Sequence, residues 1–541
     1  MPEFAASPLS ARSTTRRSAD HDDVVKQRIM GVLIGAACAD ALGAPFEFGT
    51  PGDWSDRFPA PVLGGTGEMI GGGGFGWAPG EFTDDTQMGL LLAESILATG
   101  GIDLDDLWVR WTRWARSAND VGIITRSTLS RPTREGAAEA AHRDVGRSAS
   151  NGALMRVFPI GIAFLGLEGE AATRATMQAA VAQAAITHHD PAAGWGAAIA
   201  AELIRRAVLA PAYPGVRPDS TAVDALAELD DIIAHVPEPV RERFATMLAP
   251  DWQPNQPGDP SNGSVWGCLA QAVWALRHHH GYHDVVTAAI DLGGDTDTVA
   301  CVAGAIAGAA YSIQGIPGRW LTYVHGHVDR EAVESSTGAT RHGLDELLAS
   351  DPQSSMVRYS GVELQNMARL LAGLSVKPDT PAEYAAGPQR LEVQRNGAAV
   401  QLDVHAADLK GTLEAAADDP SFAVLSLCRV NEWLDHVPVR RAYYLRDEEG
   451  LENADLAGVI TDAVDTIDAW LAEGRKVIVH CHGGRSRTTV VLRAWAMRHL
   501  GLDADEAYRW MEQWHRFAPY NQTFNALLDG HWTDHCAQVG R

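Results

Sequence analysis

The chain has 541 residues, a length that predicts at least two folded domains and excludes a single small module. Hydrophobic residues make up 46% and charged residues 21%, which is typical of a globular protein and excludes fibrous and wholly disordered classes. The formal net charge of -25 argues against a surface that binds nucleic acid or anionic lipid non-specifically, so we expect neither partner. A local basic pocket for one small phosphate remains compatible with this charge.

The first segment, 1–22, carries Arg and Ser without an apolar stretch of the secretory kind, and we expect a disordered tail there. The six cysteines are widely scattered, with no CxxC pair. This spacing predicts neither a disulfide framework nor a structural zinc site, and it fits a reducing, cytoplasmic location.

Residues 23–350 are rich in Ala and show helical periodicity, with almost no strand-like runs. The pattern predicts an all-α domain with long loops. Predicted helices cover 26–42, 86–99, 108–116, 172–186, 193–209, 264–280 and 298–311. The last of these segments is too short to span a bilayer, and its Gly304 and Gly308 predict close packing against another helix. We therefore expect no membrane partner.

Two acidic clusters each precede a predicted helix: TDDT at 83–86 and DTDT at 295–298. Thr and Asp are common helix caps, and capping alone is one interpretation of each cluster. However, both clusters carry more side-chain oxygens than capping needs, and such hard ligands favour Mg²⁺, Mn²⁺ or Ca²⁺. If the two helix starts face each other, they form a two-metal site.

Five phrases occur in order along this region: GVLIGAACADALGAPFEF (31–48), GEFTDDTQM (80–88), SNGALMRVFPIG (150–161), THHDP (187–191) and DLGGDTDTVACVAGAIAGA (291–309). Together they resemble the ADP-ribosylglycohydrolases of the dinitrogenase-reductase-activating type over about 25–325. The resemblance implies an all-α fold, two Mg²⁺ or Mn²⁺ ions, and hydrolysis of the bond between ADP-ribose and an acceptor. The acceptor would be a protein, a nucleic acid or a small molecule.

By this resemblance, the metal ligands are Thr83, Asp84, Asp85, Asp295, Asp297 and Thr298. Glu47 matches a loop glutamate that positions or deprotonates the attacking water, although it also reads as an exposed acid after a Pro turn. Ala39 stands before Asp40 where the family has glycine, a difference that affects packing near the site.

The same resemblance assigns substrate binding to Ser150, Asn151, Gly152 and His188. An ordinary Asn-Gly turn would have the same sequence, and a lone His is often a structural hydrogen-bonding group. Glycine at 152 would let backbone amides approach a diphosphate.

After about residue 375 the pattern changes to short β-branched or aromatic runs separated by helical segments. The predicted strands are 391–395, 400–404, 422–428, 442–445 and 476–481, and the predicted helices are 455–473, 486–500 and one that opens at Asp503. Alternation of this kind predicts a small α/β domain with a mostly parallel sheet at 385–541, joined by a linker with one helix at 351–384.

The segment KVIVHCHGGRSRTTVVL (476–492) places Cys481 between a strand and a helix, with Arg487 six positions later. A cysteine nucleophile needs to be a thiolate, which a helix N-terminus and surrounding amides favour. A bound phosphate needs those amides and a bidentate guanidinium, and Gly483 and Gly484 let the loop curl. The alternative is a reduced, buried cysteine in a Gly turn.

This loop resembles the phosphate loop of the tyrosine and dual-specificity phosphatases, with a looser match over about 385–530. By the resemblance, Cys481 attacks phosphorus, Arg487 holds the oxyanion and Thr488 assists, without a cofactor. Substrate binding is assigned to His482, Gly483, Gly484, Arg485, Ser486 and Thr488. For the general acid we choose Asp447, 34 residues before Cys481, while Asp435, Glu448 and Glu449 remain open.

The sequence thus predicts a bifunctional hydrolase acting on an ADP-ribosylated and on a phosphorylated substrate. One alternative is a regulatory protein in which one module is inactive and only recognises ADP-ribose or phosphate. Another is a redox-sensing thiol domain in the second half. The fusion also raises the hypothesis that both sites act in turn on one substrate.

Overall fold

A computed structural model describes residues 19–211, 226–334, 354–376, 387–395, 398–447, 453–514, 521–530 and 532. These residues form two compact units. The N-terminal unit contains the described parts of 1–60, 68–316 and 323–376, and the C-terminal unit contains 61–67, 317–322 and the described residues from 387 onward. The tail predicted at 1–22 lies almost wholly outside the described residues.

The helices, in chain order, are α1 (Ala19–Gly43), α2 (Asp53–Arg57), α3 (Asp84–Thr99), α4 (Leu104–Trp114), α5 (Ile123–Leu129), α6 (Ala137–Val145), α7 (Ile160–Ala163), α8 (Gly169–Ala184), α9 (Pro191–Leu209), α10 (Leu229–Ala234), α11 (Val240–Met247), α12 (Val265–His278), α13 (Gly281–Ile290), α14 (Thr296–Tyr311), α15 (Gly318–Leu321), α16 (Arg330–Val333), α17 (Gly361–Leu371), α18 (Leu409–Asp418), α19 (Leu456–Ala472), α20 (Ser486–Leu500), α21 (Ala504–Trp514) and α22 (Gln522–Gly530). The strands are β1 (His325–Asp329), β2 (Met356–Ser360), β3 (Gln389–Arg395), β4 (Ala398–Asp408), β5 (Ala423–Ser426), β6 (Arg440–Ala442) and β7 (Val477–Cys481).

Helices α1 and α14 form the centre of the N-terminal unit, and their backbones touch. A Cβ added at Gly308 would lie 2.0 Å from the carbonyl oxygen of Gly31, and one at Gly304 would lie 2.4 Å from Ala39 Cβ. This confirms the predicted close packing at Gly304 and Gly308. The segment Asp23–Phe46 is long and apolar enough to cross a membrane by length and composition, but 94% of its most apolar window is buried in this core.

The N-terminal unit also contains an element that the sequence did not predict. Strands β1 and β2 form a two-stranded antiparallel sheet, with Val328 paired to Val357. Strand β2 and α17 lie in the stretch 351–384 that we expected to be a linker, yet Val357 and Leu364 are fully buried. The hydroxyl of Tyr359 also donates to Glu94 Oε1 at 2.7 Å. Residues 354–376 are therefore part of the N-terminal unit.

The C-terminal unit contains a five-stranded sheet in the order β3-β4-β7-β5-β6. Strands β3 and β4 are antiparallel, whereas the other neighbouring pairs are parallel, as the alternating pattern predicts. The last strand in this order, β6, covers 440–442 and so ends where the predicted strand 442–445 begins. Two short segments from earlier in the chain belong to this unit: the carbonyl of Leu63 accepts from Arg441 Nη2, and the amide of Gly318 donates to Asp462.

Candidate functional sites

The first acidic cluster forms the start of α3. Thr83 caps the helix by accepting from the Asp85 amide at 3.4 Å, so the capping interpretation holds for this residue. The buried carboxylate of Asp40 accepts from the Thr83 amide at 3.1 Å and from Thr86 Oγ1 at 2.6 Å. Thr83 and Asp40 supply the hydrogen bonds that stabilise this turn. The buried carboxylates of Asp84 and Asp85 are therefore not needed for capping.

The second acidic cluster follows two glycines with left-handed backbones, Gly293 (φ 73°) and Gly294 (φ 76°). A Cβ at Gly293 would lie 2.6 Å from the backbone nitrogen of Pro51, and one at Gly294 would lie 2.6 Å from Asn262 Oδ1. The same Asn262 oxygen accepts from the Asp295 amide at 3.1 Å. This turn therefore requires glycine, and it places Asp295 at the start of α14.

The two helix starts face each other, as the sequence-based hypothesis requires. Thr298 Oγ1 donates to Asp85 Oδ1 at 3.3 Å, which links the second cluster to the first. Carboxylate oxygens of Glu47, Asp295 and Asp297 lie within 4.8 Å of one another. We call this group of carboxylates, together with Asp84 and Asp85, the acidic pocket.

The pocket concentrates negative charge where water is largely excluded. Burial, followed by repulsion between neighbouring carboxylates, raises the pKa of Asp84, Asp85 and Asp297 well above the usual range. Burial and then Asp295 and other carboxylates raise the pKa of Glu47 to about 8. A cation between these groups would offset the repulsion between the carboxylates and stabilise their charged forms.

The acidic pocket fits a divalent metal ion. Glu47 Oε2 and Asp85 Oδ2 are buried and have no hydrogen-bond partner among the described residues. Buried acceptors without a donor are costly, and an ion would satisfy them. All the candidate ligands are carboxylates or threonine hydroxyls, which suit Mg²⁺ or Mn²⁺ better than a soft metal.

The predicted substrate loop contacts the pocket through Asn151, whose Nδ2 donates to Asp295 Oδ2 at 2.9 Å. Beside it, Ser150 Oγ lies 2.8 Å from His188 Nε2. A Cβ at Gly152 would lie 3.3 Å from the His188 ring, so glycine here allows a close approach. The structure thus brings together all four residues assigned to substrate binding in this unit.

His188 is held by both ring nitrogens, since Nδ1 lies 2.8 Å from Thr187 Oγ1. Burial, and to a lesser degree Arg156, lowers the pKa of His188 to about 3. The imidazole is therefore neutral near pH 7. The contacts of His188 with Ser150 and Thr187 indicate that it positions Ser150. They favour the interpretation of His188 as a structural hydrogen-bonding group over a direct role in substrate binding.

The sequence analysis missed Asp120, a half-buried carboxylate on the loop between α4 and α5. Burial and then Asp295 raise the pKa of Asp120. In turn, Asp120 raises the pKa of Glu47 and Asp84, which places it electrostatically in the acidic pocket. Its surroundings in the sequence, SANDVG, are those of an ordinary turn, so no local signal distinguishes it.

In the C-terminal unit, β7 ends at Cys481 and α20 begins at Ser486, and we call 482–485 the cysteine loop. Gly484 has a φ of 64°, and a Cβ there would lie 2.7 Å from the Ala407 carbonyl oxygen, so the loop requires glycine at this position. Cys481 is 1% exposed and lies at the base of the loop. Within 482–488, His482 is exposed, Gly483, Arg485 and Arg487 are half-buried, and Gly484, Ser486 and Thr488 are buried.

One nitrogen of Arg487 is anchored by carbonyls outside the cysteine loop, and another has no hydrogen-bond partner among the described residues. Its Nη1 donates to the carbonyls of Leu427 (3.0 Å) and Leu445 (3.2 Å). Within the described parts of the chain, Arg487 Nε and Thr488 Oγ1 are buried without a hydrogen-bond partner. Donors in this state beside a cysteine fit a bound oxyanion.

Asp447 follows Leu445 by two residues, so the Arg487 contact holds the segment that carries this candidate acid. The Asp447 side chain is exposed and accepts from Asn521 Nδ2 at 3.5 Å. Asp435 instead pairs with Arg440 at 2.9 Å, which makes it the weaker candidate. Glu448 and Glu449 lie outside the described residues.

Four other cysteines lie within the described residues. Burial raises the pKa of Cys38, Cys268 and Cys301 well above the usual range, which disfavours the reactive thiolate. Cys428 is buried in the C-terminal unit. Cys536 lies outside the described residues.

Comparisons with known proteins agree with this geometry. Residues 21–353 match the ADP-ribosylglycohydrolase family, and residues 427–528 match the dual specificity phosphatase catalytic domain. The chain is 30% identical over 313 residues to the ADP-ribosylarginine hydrolase Tri1 of Pseudomonas putida, covering 55% of this chain and 74% of that protein.

Two further relatives are a glycohydrolase and a phosphatase. The ADP-ribosyl-dinitrogen reductase glycohydrolase of Rhodospirillum rubrum is 27% identical over 335 residues, which are 60% of this chain and 97% of that protein. The dual specificity protein phosphatase 1-A of Xenopus laevis is 32% identical over 80 residues, 15% of this chain and 22% of that protein. The chain therefore belongs to the ADP-ribosylglycohydrolase family and is an enzyme that also carries a dual specificity phosphatase catalytic domain.

Proposed function

We propose that the chain is a bifunctional hydrolase. Its N-terminal unit cleaves the glycosidic bond between ADP-ribose and an acceptor with the help of two Mg²⁺ or Mn²⁺ ions. Its C-terminal unit hydrolyses phosphomonoesters through a cysteinyl-phosphate intermediate. The observation that carries the first activity is the acidic pocket, in which buried carboxylate oxygens of Glu47 and Asp85 lack any described donor.

The residues that would hold the ions are Thr83, Asp84, Asp85, Asp295, Asp297 and Thr298. When bound, such ions supply positive charge that orients the ribose hydroxyls and polarises an attacking water. Glu47, whose carboxylate lies with Asp295 and Asp297, accepts the proton of that water. Asn151 orients Asp295, and Ser150 and Gly152 bind the diphosphate side of ADP-ribose.

We further propose arginine as the acceptor, because the name of one relative states ADP-ribosylarginine hydrolysis and the pocket rim is acidic. Asp120 is half-buried beside the pocket and has no place in the proposed metal ligand set. Its carboxylate accepts from the Val121 amide and interacts with Arg126, and in our proposal it also pairs with the substrate guanidinium, a cation that stays charged at all relevant pH values.

In the C-terminal unit, Cys481 attacks the phosphorus and the ester oxygen leaves with a proton from Asp447. Arg487 Nε and the loop amides bind the equatorial oxygens, and Thr488 Oγ1 assists breakdown of the thiophosphate by water. The thiols of Cys38, Cys268, Cys301 and Cys481 are not in disulfides, which supports our proposal of a cytoplasmic location.

The experiment is a panel of arginine-, serine- and nucleic-acid-linked ADP-ribose substrates and phosphomonoesters, assayed with Mg²⁺, Mn²⁺ or EDTA. Release of ADP-ribose and of phosphate is measured in the same reactions. We expect metal-dependent release of ADP-ribose from the arginine-linked substrate and metal-independent release of phosphate. Tight binding of ADP-ribose without turnover of any linked substrate would instead favour the regulatory alternative.

A further inference from the structure

Several exposed hydrophobic side chains lie close in sequence to carboxylates of the acidic pocket. Among the described residues, five large hydrophobic side chains are strongly exposed: Phe48 (72%), Ile123 (73%), Phe75 (36%), Met356 and Val400. Phe48 and Ile123 lie within three residues of Glu47 and Asp120, respectively, and Phe75 lies near Phe48. Phe48 follows Glu47, Ile123 lies three residues after Asp120, and a Cβ at Gly74, next to Phe75, would lie 4.0 Å from the Phe48 ring.

Phe48 also has an unusual backbone. Its φ is 66°, in the left-handed region that bulky residues rarely occupy. The Phe48 amide donates to the Gly294 carbonyl at 2.6 Å, and the Gly294 amide donates to the Gly49 carbonyl at 3.0 Å. Gly294 directly precedes Asp295. The fold therefore attaches this strained residue to the same turn that positions a pocket carboxylate.

Core packing does not explain the Phe48 ring, because most of it faces solvent. Strain of this kind persists where the surrounding structure imposes it, and it is concentrated at functional sites. Phe48 directly follows Glu47, the residue that we assign to water activation, and its side chain is exposed.

The position of Phe48 beside Glu47 indicates which part of the substrate its ring would contact. In the proposed reaction, the scissile bond lies at Glu47, Asp295 and Asp297, whose oxygens are grouped within 4.8 Å. The adenine lies at the far end of ADP-ribose, beyond the diphosphate. The acceptor is attached at the scissile bond itself, so a side chain close to Glu47 would meet the acceptor rather than the adenine. An aromatic face attracts a planar cation.

We propose that Phe48 is a specificity-determining residue whose ring packs on the guanidinium of an ADP-ribosylated arginine at the pocket mouth. The inference rests on the proposed glycohydrolase function and on the arginine acceptor. Phe48 supplies the flat face, and the neighbouring carboxylates, Asp120 among them, supply the opposite charge.

Three substitutions distinguish the effect of the Phe48 ring from the effect of its backbone conformation. Phe48→Gly removes the ring and suits the positive φ, Phe48→Leu keeps an apolar side chain without a π face, and Phe48→Tyr keeps the ring. Met356→Ala, at an exposed hydrophobic residue on β2, is the matched control. For each variant, KM and kcat are measured on arginine- and serine-linked ADP-ribosyl peptides, and Kd is measured for ADP-ribose with Mg²⁺.

We expect Phe48→Gly and Phe48→Leu to raise KM for the arginine-linked peptide by about 3- to 30-fold, the range expected for a cation–π contact. We expect kcat and the Kd for ADP-ribose to change by less than about 2-fold, and Phe48→Tyr and Met356→Ala to resemble the wild type. An unchanged KM in Phe48→Leu overturns the inference, as does a parallel rise in the Kd for ADP-ribose. If the wild-type protein releases no ADP-ribose from the arginine-linked peptide, the proposed function itself fails.

Discussion

The acidic pocket and the cysteine loop have opposite electrostatic character. The pocket gathers hydrogen-bond acceptors, and two of its buried oxygens, on Glu47 and Asp85, lack a described donor. The loop gathers donors, and Arg487 Nε and Thr488 Oγ1 are buried without an acceptor in the described chain. Each site thus fits an ion of the opposite sign, and the net charge of -25 predicts neither local environment.

The two sites also differ in how they are assembled. The pocket combines segments that are distant in sequence, at 40–47, 83–86, 120 and 295–298. The cysteine loop comes from one continuous strand-loop-helix segment and is completed by the Leu427 and Leu445 carbonyls. Substitutions in the two sites should therefore have separable effects on activity, and the predictions below test this from the largest effect to the smallest.

Replacement of the nucleophile should have the largest effect. We expect Cys481→Ser to lower phosphomonoester hydrolysis at least about 10³-fold, because the serine hydroxyl is a far weaker nucleophile here. Release of ADP-ribose should stay at the wild-type rate. Cys428→Ser, a second buried thiol of the same unit, is the control and should keep most phosphatase activity. Equal losses in the two variants would contradict the assignment.

Asp297→Asn should lower ADP-ribose release about 10²-fold or more, through loss of a metal-facing carboxylate. It should also raise Tm in EDTA, because one of several mutually repelling buried carboxylates becomes neutral. The rise in Tm that Mg²⁺ causes in the wild type should shrink. Thermal melts with and without Mg²⁺ measure this. Asp251→Asn, at an exposed position, should melt like the wild type; a full Mg²⁺ effect in Asp297→Asn would contradict the metal assignment.

Asp120→Asn tests whether the pocket separates metal binding from acceptor binding. We expect KM for an arginine-linked substrate to rise about 10-fold, since an ionic contact to the guanidinium is lost. The increase in Tm on adding Mg²⁺ should remain, because Asp120 is not assigned as a ligand. Loss of that increase would instead place Asp120 among the metal-binding groups.

The last prediction concerns stability rather than activity, and a feature that both sites share, a buried histidine with a lowered pKa. Burial lowers the pKa of His480 to about 4, as it lowers that of His188 to about 3. With an unfolded value near 6.5, the unfolded chain binds more protons below that pH, so stability falls as the pH drops from about 6.5 toward 4. For His480 this amounts to about 2–3 kcal/mol at pH 4.5.

Denaturant unfolding at pH 7 and pH 4.5 tests this effect. In His480→Gln, which cannot gain the proton, the loss of stability between the two pH values should be smaller than in the wild type. The Ser426 contact to His480 Nε2 at 2.7 Å links this histidine to the strand beside β7, so some loss of stability at both pH values is also expected. An unchanged pH dependence would show that His480 does not contribute to it.

Local patterns predicted much of the fold because they report periodicity and capping. The helices at 84–99, 296–311 and 486–500 lie close to their predicted positions, and Asp503 and Glu506 form the reciprocal capping contacts that their spacing indicates. Strand β2 was missed because it occupies a stretch flanked by polar, linker-like residues. Its Val357 and Tyr359 are buried only through contacts with distant parts of the N-terminal unit, such as Glu94.

By itself, the sequence determined the division into a helical and an α/β part, the two acidic helix starts and the Cys481–Arg487 loop, because these features depend on neighbours within a few residues. Tertiary structure alone decided that Thr298 contacts Asp85, that Asp120 interacts with the carboxylates of the acidic pocket, and that the Phe48 backbone is bonded to Gly294. The physical reason is that the electrostatic potential, burial and backbone strain at these residues come from segments tens to hundreds of positions away. Local sequence patterns carry no information about such distant contacts.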